Sequence, residues 1–69
     1  MKYFYGMRLR GFSPGAQPMN GLYGVTDYKL NKWEKKSGRK YHDVLVYLRK
    51  LDDKELEEYE LDYLGEAER

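Results

Sequence analysis

Tyr41 to Leu48, reading Tyr-His-Asp-Val-Leu-Val-Tyr-Leu, is the segment that most narrows the folds open to this chain, because it is apolar on both sides of a strand. At period two, Val44, Val46 and Leu48 face one way and Tyr41, Leu45 and Tyr47 the other. At the edge of a sheet such a strand would leave apolar surface in water. It belongs at the centre, or where one face meets a helix and the other a loop or a second subunit.

The neighbouring segments supply the rest of the sheet. Tyr3, Tyr5, Met7 and Leu9 alternate with Phe4, Gly6, Arg8 and Arg10, which predicts a strand over about residues 2–10. Pro14-Gly15, Pro18 and Asn20-Gly21 mark a connection with defined turns. Leu22 to Leu30 alternates again and predicts a second strand over 22–30, weakened by Gly24. Lys36 to Arg39 supplies a turn, and the third strand covers about 40–49.

Asp52 reads as a helix N-cap, with Glu55 at the capping-box position. Leu56, Tyr59, Tyr63 and Leu64 then recur on one side at helical spacing, and Gly65 is a natural stop, so the spacing predicts a helix over about 53–64. Glu60 falls within that apolar arc, at the rim of the helix contact and within reach of a basic residue of the sheet. The expected architecture is α+β, a three-stranded antiparallel sheet with one C-terminal helix packed on one face (β-β-β-α), in one small domain.

With 69 residues and no cysteine, neither disulfides nor thiolate metal sites can brace this fold. Eight tyrosines, two phenylalanines and one tryptophan must carry much of the core, because each aromatic buries a large area with few rotatable bonds. The absence of cysteine suits a reducing cytoplasm. No signal-peptide pattern and no apolar run of membrane-spanning length is present, so a cytoplasmic location without membrane association is expected.

Charge is divided along the chain. Met1 to Leu51 carries eleven Lys or Arg against three acids, and Asp52 to Arg69 carries nine acids against two bases, so the net +1 conceals opposite halves. The basic half concentrates Lys29, Lys32, Lys35, Lys36, Arg39 and Lys40 around Trp33, and Arg8 and Arg10 project from one side of the first strand. Cations that neutralise phosphates beside a stacking aromatic suit single-stranded nucleic acid. A solvated hairpin tip whose lysines discourage edge pairing accounts for the same residues. Phe12 is either a plug closing one end of the core or an anchor for a partner.

On the acidic half, Glu55, Glu58 and Asp62 form the outer face of the expected helix. They solvate that face, offset the basic sheet, or imitate phosphates toward another protein. Catalysis is not expected. His42 is the one histidine, its neighbour Asp43 points to the opposite face of the strand, and Ser13 and Ser37 lie in turns, so no nucleophile, base and orienter converge. A lone histidine and carboxylates without Ca²⁺-loop spacing give no metal site, no glycine motif precedes a helix start, and no cofactor is expected.

The segment Tyr5 to Pro18, with Asp43 to Tyr47 and Leu56 to Leu64, resembles small uncharacterised proteins of Gram-positive bacteria and their phages or mobile elements. The resemblance implies no activity of its own. By analogy with small phage-type proteins, it implies binding and modulation of a host macromolecule, defence systems included. The expected function is therefore a non-enzymatic binding module that inhibits or modulates a bacterial host protein. Its candidate surface comprises Arg8, Arg10, Phe12, Lys29, Trp33, Lys35, Lys36, Arg39 and Lys40. The alternative is a nucleic-acid-binding accessory protein using the basic hairpin and Trp33. A homodimer through the two-sided strand is a further arrangement.

Overall fold

The computed structural model describes residues 1–9, 11, 15, 17–26, 34–36 and 38–67. Its regular elements are β1 (Lys2–Met7), β2 (Leu22–Thr26), β3 (Val44–Tyr47), α1 (Asp53–Tyr59) and β4 (Leu61–Ala67). The strands form one sheet in the order β2-β3-β1-β4, and each neighbouring pair is antiparallel. All four residues of β3 are buried, as a strand apolar on both sides requires.

Alternation sorts the sheet into two faces. On the first, Tyr5 and Met7 of β1, Leu45 and Tyr47 of β3 and Leu61 of β4 pack with Leu51 into the larger core, closed by Leu56 and Tyr59 of α1. On the second, Val44, Leu64 and Tyr41 form a smaller cluster with Phe4. Tyr41 precedes β3 and so escapes its alternation, packing with Val44 and not beside Leu45 and Tyr47. Its ring lies directly over Gly6, where an added Cβ would sit 2.5 Å from a ring carbon.

The structure corrects the expected β-β-β-α order. The predicted helix over 53–64 is seven residues long, and the chain then turns into a fourth strand. Asp52 and Glu55 do form the capping box, with the Asp52 carboxylate accepting from the Glu55 N–H at 2.8 Å and the Glu55 carboxylate from the Asp52 N–H at 3.1 Å. The helix ends at Glu60, whose left-handed backbone (φ 57°, ψ 52°) directs its N–H to the Leu56 carbonyl. That conformation costs a non-glycine residue roughly 1 kcal/mol. The gain lies in β1, whose Tyr5, Gly6 and Met7 are buried. Without β4 the outer N–H and C=O groups of β1 would lose their partners, and buried backbone groups tolerate that poorly. Tyr63 and Leu64 consequently fall on opposite faces, Tyr63 against Tyr5 at 5.4 Å and Leu64 against Tyr41 and Val44.

The outer strands each carry an irregularity. β4 shifts register between Phe4 and Tyr5 of its partner, leaving Leu64 as the extra residue, and β2 shifts between Leu22 and Gly24, leaving Tyr23 extra. Such bulges twist an edge and discourage further strand pairing. β1 ends at Met7, and β3 is confined to Val44–Tyr47, both shorter than their alternation implied. Residues 27–30 of the expected second strand lie outside the described residues. The turns read from Asn20-Gly21 and Gly38 are present, both glycines at positive φ. The Gly38 N–H closes a helical turn by donating to the Glu34 carbonyl at 2.8 Å.

Buried tyrosine hydroxyls connect the sheet to its loops. Tyr47 donates to the Pro18 carbonyl at 2.6 Å, and Tyr5 accepts from the Leu51 N–H at 2.8 Å, just ahead of the helix. Burial pushes both phenols above their ordinary pKa, so they remain neutral donors and acceptors throughout the working range. Among the described residues no helix is long and apolar enough to cross a membrane.

Candidate binding surface

Arg8 leaves β1 just after Met7, and its position brings it to β4. Its Nε lies 3.3 Å from Asp62 Oδ1 and donates to the Glu60 carbonyl at 3.3 Å. Arg39 approaches the other carboxylate oxygen at 3.6 Å, and the Tyr41 hydroxyl donates to that same oxygen at 2.9 Å. One carboxylate thus gathers two guanidinium groups and a phenol from two other stretches of chain. Glu34 adds a tether, accepting from the Tyr41 N–H at 2.8 Å. The result holds the 34–41 segment against the second face of the sheet, with Lys35, Lys36 and Lys40 exposed at its margin.

Arg49 makes a comparable junction on the helix side. Its two terminal nitrogens grip Glu55 at 3.0 and 2.7 Å, and its Nε donates to the Asn20 carbonyl at 2.7 Å. Its stem lies so close over Gly21 that a Cβ there would come within 2.9 Å of Cγ. The bidentate pairing and the Asp52 N–H bond hold the Glu55 carboxyl well below the usual range, at about 2, and raise Arg49 further. Arg49 pins the turn before β2 to the start of α1, which makes it a positioning residue.

The structure separates the expected acidic face. Glu58 is exposed on α1, in company with Asp53 and Glu57. Glu55 is engaged by Arg49, and Asp62 lies on β4 beneath Arg8 and Arg39, on the opposite side of the sheet. Glu60 accepts from Arg8 through its carbonyl, while the Asp62 side chain meets Arg8 and Arg39. Of the expected basic surface, Arg8, Lys35, Lys36, Arg39 and Lys40 come together on the second face. Arg10, Phe12, Lys29 and Trp33 lie outside the described residues.

Charge is therefore distributed across the thickness of the molecule. The outer surface of α1 is acidic, the 34–41 segment opposite is basic, and the sheet lies between them. The two charged halves meet on the helix side where Arg49 grips Glu55, and on the far side at Asp62, a strand residue. Nothing in the local pattern signalled this, because Asp62 suited a solvated helix face equally well.

Among the described residues, His42 is exposed, and no three His, Asp or Glu side chains are grouped to hold a metal ion. The backbone beside His42 extends the sheet, with the His42 N–H donating to the Met7 carbonyl at 2.8 Å and the Met7 N–H to the Asp43 carbonyl at 2.9 Å.

No curated protein and no solved structure matches the chain. A family model does, over residues 1–66, under the description Defence against restriction A C-terminal. That span takes in β1, β2, β3, α1, all of β4 but Ala67, and the Asp62 junction. By this match the chain belongs to the Defence against restriction A C-terminal family, which is associated with phages and mobile elements.

Proposed function

We propose that the chain is a non-enzymatic binding module that modulates a bacterial host protein, one belonging to the restriction machinery. The observation that carries this reading is the Asp62 junction: Arg8, Arg39 and Tyr41 are held in place before any partner arrives, with lysines projecting beside them. A face ordered in advance loses less conformational freedom on binding. Membership of a family named for defence against restriction supplies the class of partner. The surface at issue is Arg8, Lys35, Lys36, Arg39 and Lys40, facing an acidic region of the host protein. Such a partner lies in the bacterial cytoplasm.

The test is the plating efficiency of an unmodified phage on restriction-proficient and restriction-deficient hosts, each with and without the chain. Plating should rise in the proficient host alone, and Lys35→Glu with Lys40→Glu should abolish the gain. Equal plating with and without the chain would overturn the reading.

A second reading rests on the same basic segment: its cations share one face and could engage nucleic acid phosphates. Salt-sensitive binding of an oligonucleotide, reduced by the same two charge reversals, is its expected sign.

A further inference from the structure

Among the described residues, the Tyr41 cluster covers one end of the second face of the sheet. Beyond the Tyr41 cluster, its far end presents Tyr23, 59% exposed, and Leu48, 57% exposed. The bulge in β2 turns Tyr23 to this side, where the Lys2 ammonium lies 4.1 Å from the ring centroid. Beside it Gly24 leaves the sheet bare, since a Cβ at that position would meet nothing within 4 Å. An exposed aromatic thus stands next to open space over Gly24, with a cation in contact and more cations along the same face. From Lys2 to Arg8 along β1 this face extends roughly 20 Å, the length of a few extended nucleotides.

We infer that this face binds single-stranded nucleic acid, with a base stacked at Tyr23 over Gly24 and the phosphates led past Lys2 toward Arg39 and Lys40. The inference deepens the second reading above and rests on it. Several features favour this ligand over others. A duplex keeps its bases stacked internally and has no use for an exposed ring, whereas a single strand offers them. An acidic peptide would satisfy the cations but leave the exposed ring and the open space over Gly24 without purpose. Strand addition at the sheet edges is opposed by the bulges in β2 and β4.

The experiment titrates the full chain at low salt with a fluorescein-labelled oligothymidylate, a duplex of equal length and a polyglutamate peptide, while amide shifts are followed by NMR. The oligothymidylate should bind best, lose affinity as salt rises, and move the Lys2, Tyr23, Gly24 and Leu48 resonances. Tyr23→Ala should lower affinity roughly five- to hundredfold, the loss of one stacked base. Gly24→Val, which suits a strand and fills the open space, should also lower affinity while the chain stays folded. Unchanged affinity in both variants overturns the inference, as does polyglutamate binding equally well with the same shifts. Duplex-only binding that moves Lys35 and Lys40 but not Tyr23 overturns it while leaving the second reading standing. No binding of any nucleic acid removes both.

Discussion

The two faces of the sheet are held by different physics. On the helix face, fully buried Tyr5, Tyr47, Met7 and Leu45 pack under Leu56 and Tyr59, and the phenol hydroxyls are tied to loop backbone. Tyr5 and Tyr47 meet edge to face at 5.6 Å. On the opposite face the apolar cluster is smaller, and a half-buried charge junction on Asp62 holds the covering segment. The first arrangement buys stability, while the second leaves cations and an aromatic accessible. The principal core and the proposed binding surface thus lie on opposite sides of one sheet, so substitutions of exposed residues on the second face should be tolerated.

That contrast can be broken most directly at Tyr47. Tyr47→Ala removes a fully buried ring and should cost about 3–5 kcal/mol, measured by urea unfolding. A loss no larger than that of a surface substitution would contradict the helix face as the principal core. Gly6→Ala attacks the opposite face, driving a methyl into the Tyr41 ring, and should cost about 1–3 kcal/mol. Its amide shifts should concentrate on Tyr41, Val44 and Leu64.

Smaller effects sharpen the same comparison. Asp62→Asn should cost no more than about 1 kcal/mol, because its ion pairs are partly exposed and screened. The cost should shrink in high salt, whereas that of Tyr47→Ala should not. Glu60→Gly relieves the left-handed backbone at the helix-to-strand switch and should raise stability by up to about 1 kcal/mol, seen as a higher Tm.

The Arg49 junction predicts a pH signature. Glu55 titrates near 2 in the folded chain against an ordinary 4.5, so its contribution is complete above about pH 4.5 and is lost as pH falls toward 2. Arg49→Met should flatten the dependence of stability on pH across that window. Tyr63, pushed up to about 12 chiefly by its 2.6 Å hydrogen bond to Glu66, gives a spectroscopic check at the other extreme: Glu66→Gln should bring its ionisation down.

Much of the chain was legible where the cause of structure is local. The capping box at Asp52 and Glu55, the Asn20-Gly21 turn and the alternation of β1 needed only near neighbours in sequence. Val44 to Tyr47 announced a central strand because both its sides are apolar. The segment after Tyr59 was misleading for a physical reason: Leu56, Tyr59, Tyr63 and Leu64 fit a helical stripe, while Leu61 to Ala67 serves equally as an edge strand with one bulge. The candidate surface was half legible. Lys35, Arg39 and Lys40 stand out by charge alone, but Tyr23 and Lys2 become neighbours only because β3 places β1 and β2 on either side of itself.

By itself, then, the sequence determined an aromatic core, a strand that had to be central, a capped helix start and two halves of opposite charge. Tertiary structure decided that Asp62, on a strand, gathers Arg8 and Arg39 from the basic half and that the chain turns at Glu60 into a fourth strand. Propensity and periodicity act over a few residues, but the demand for hydrogen-bond partners along β1 comes from residues more than fifty positions away. A nonlocal demand of that kind overrides a local pattern whenever two conformations are nearly balanced.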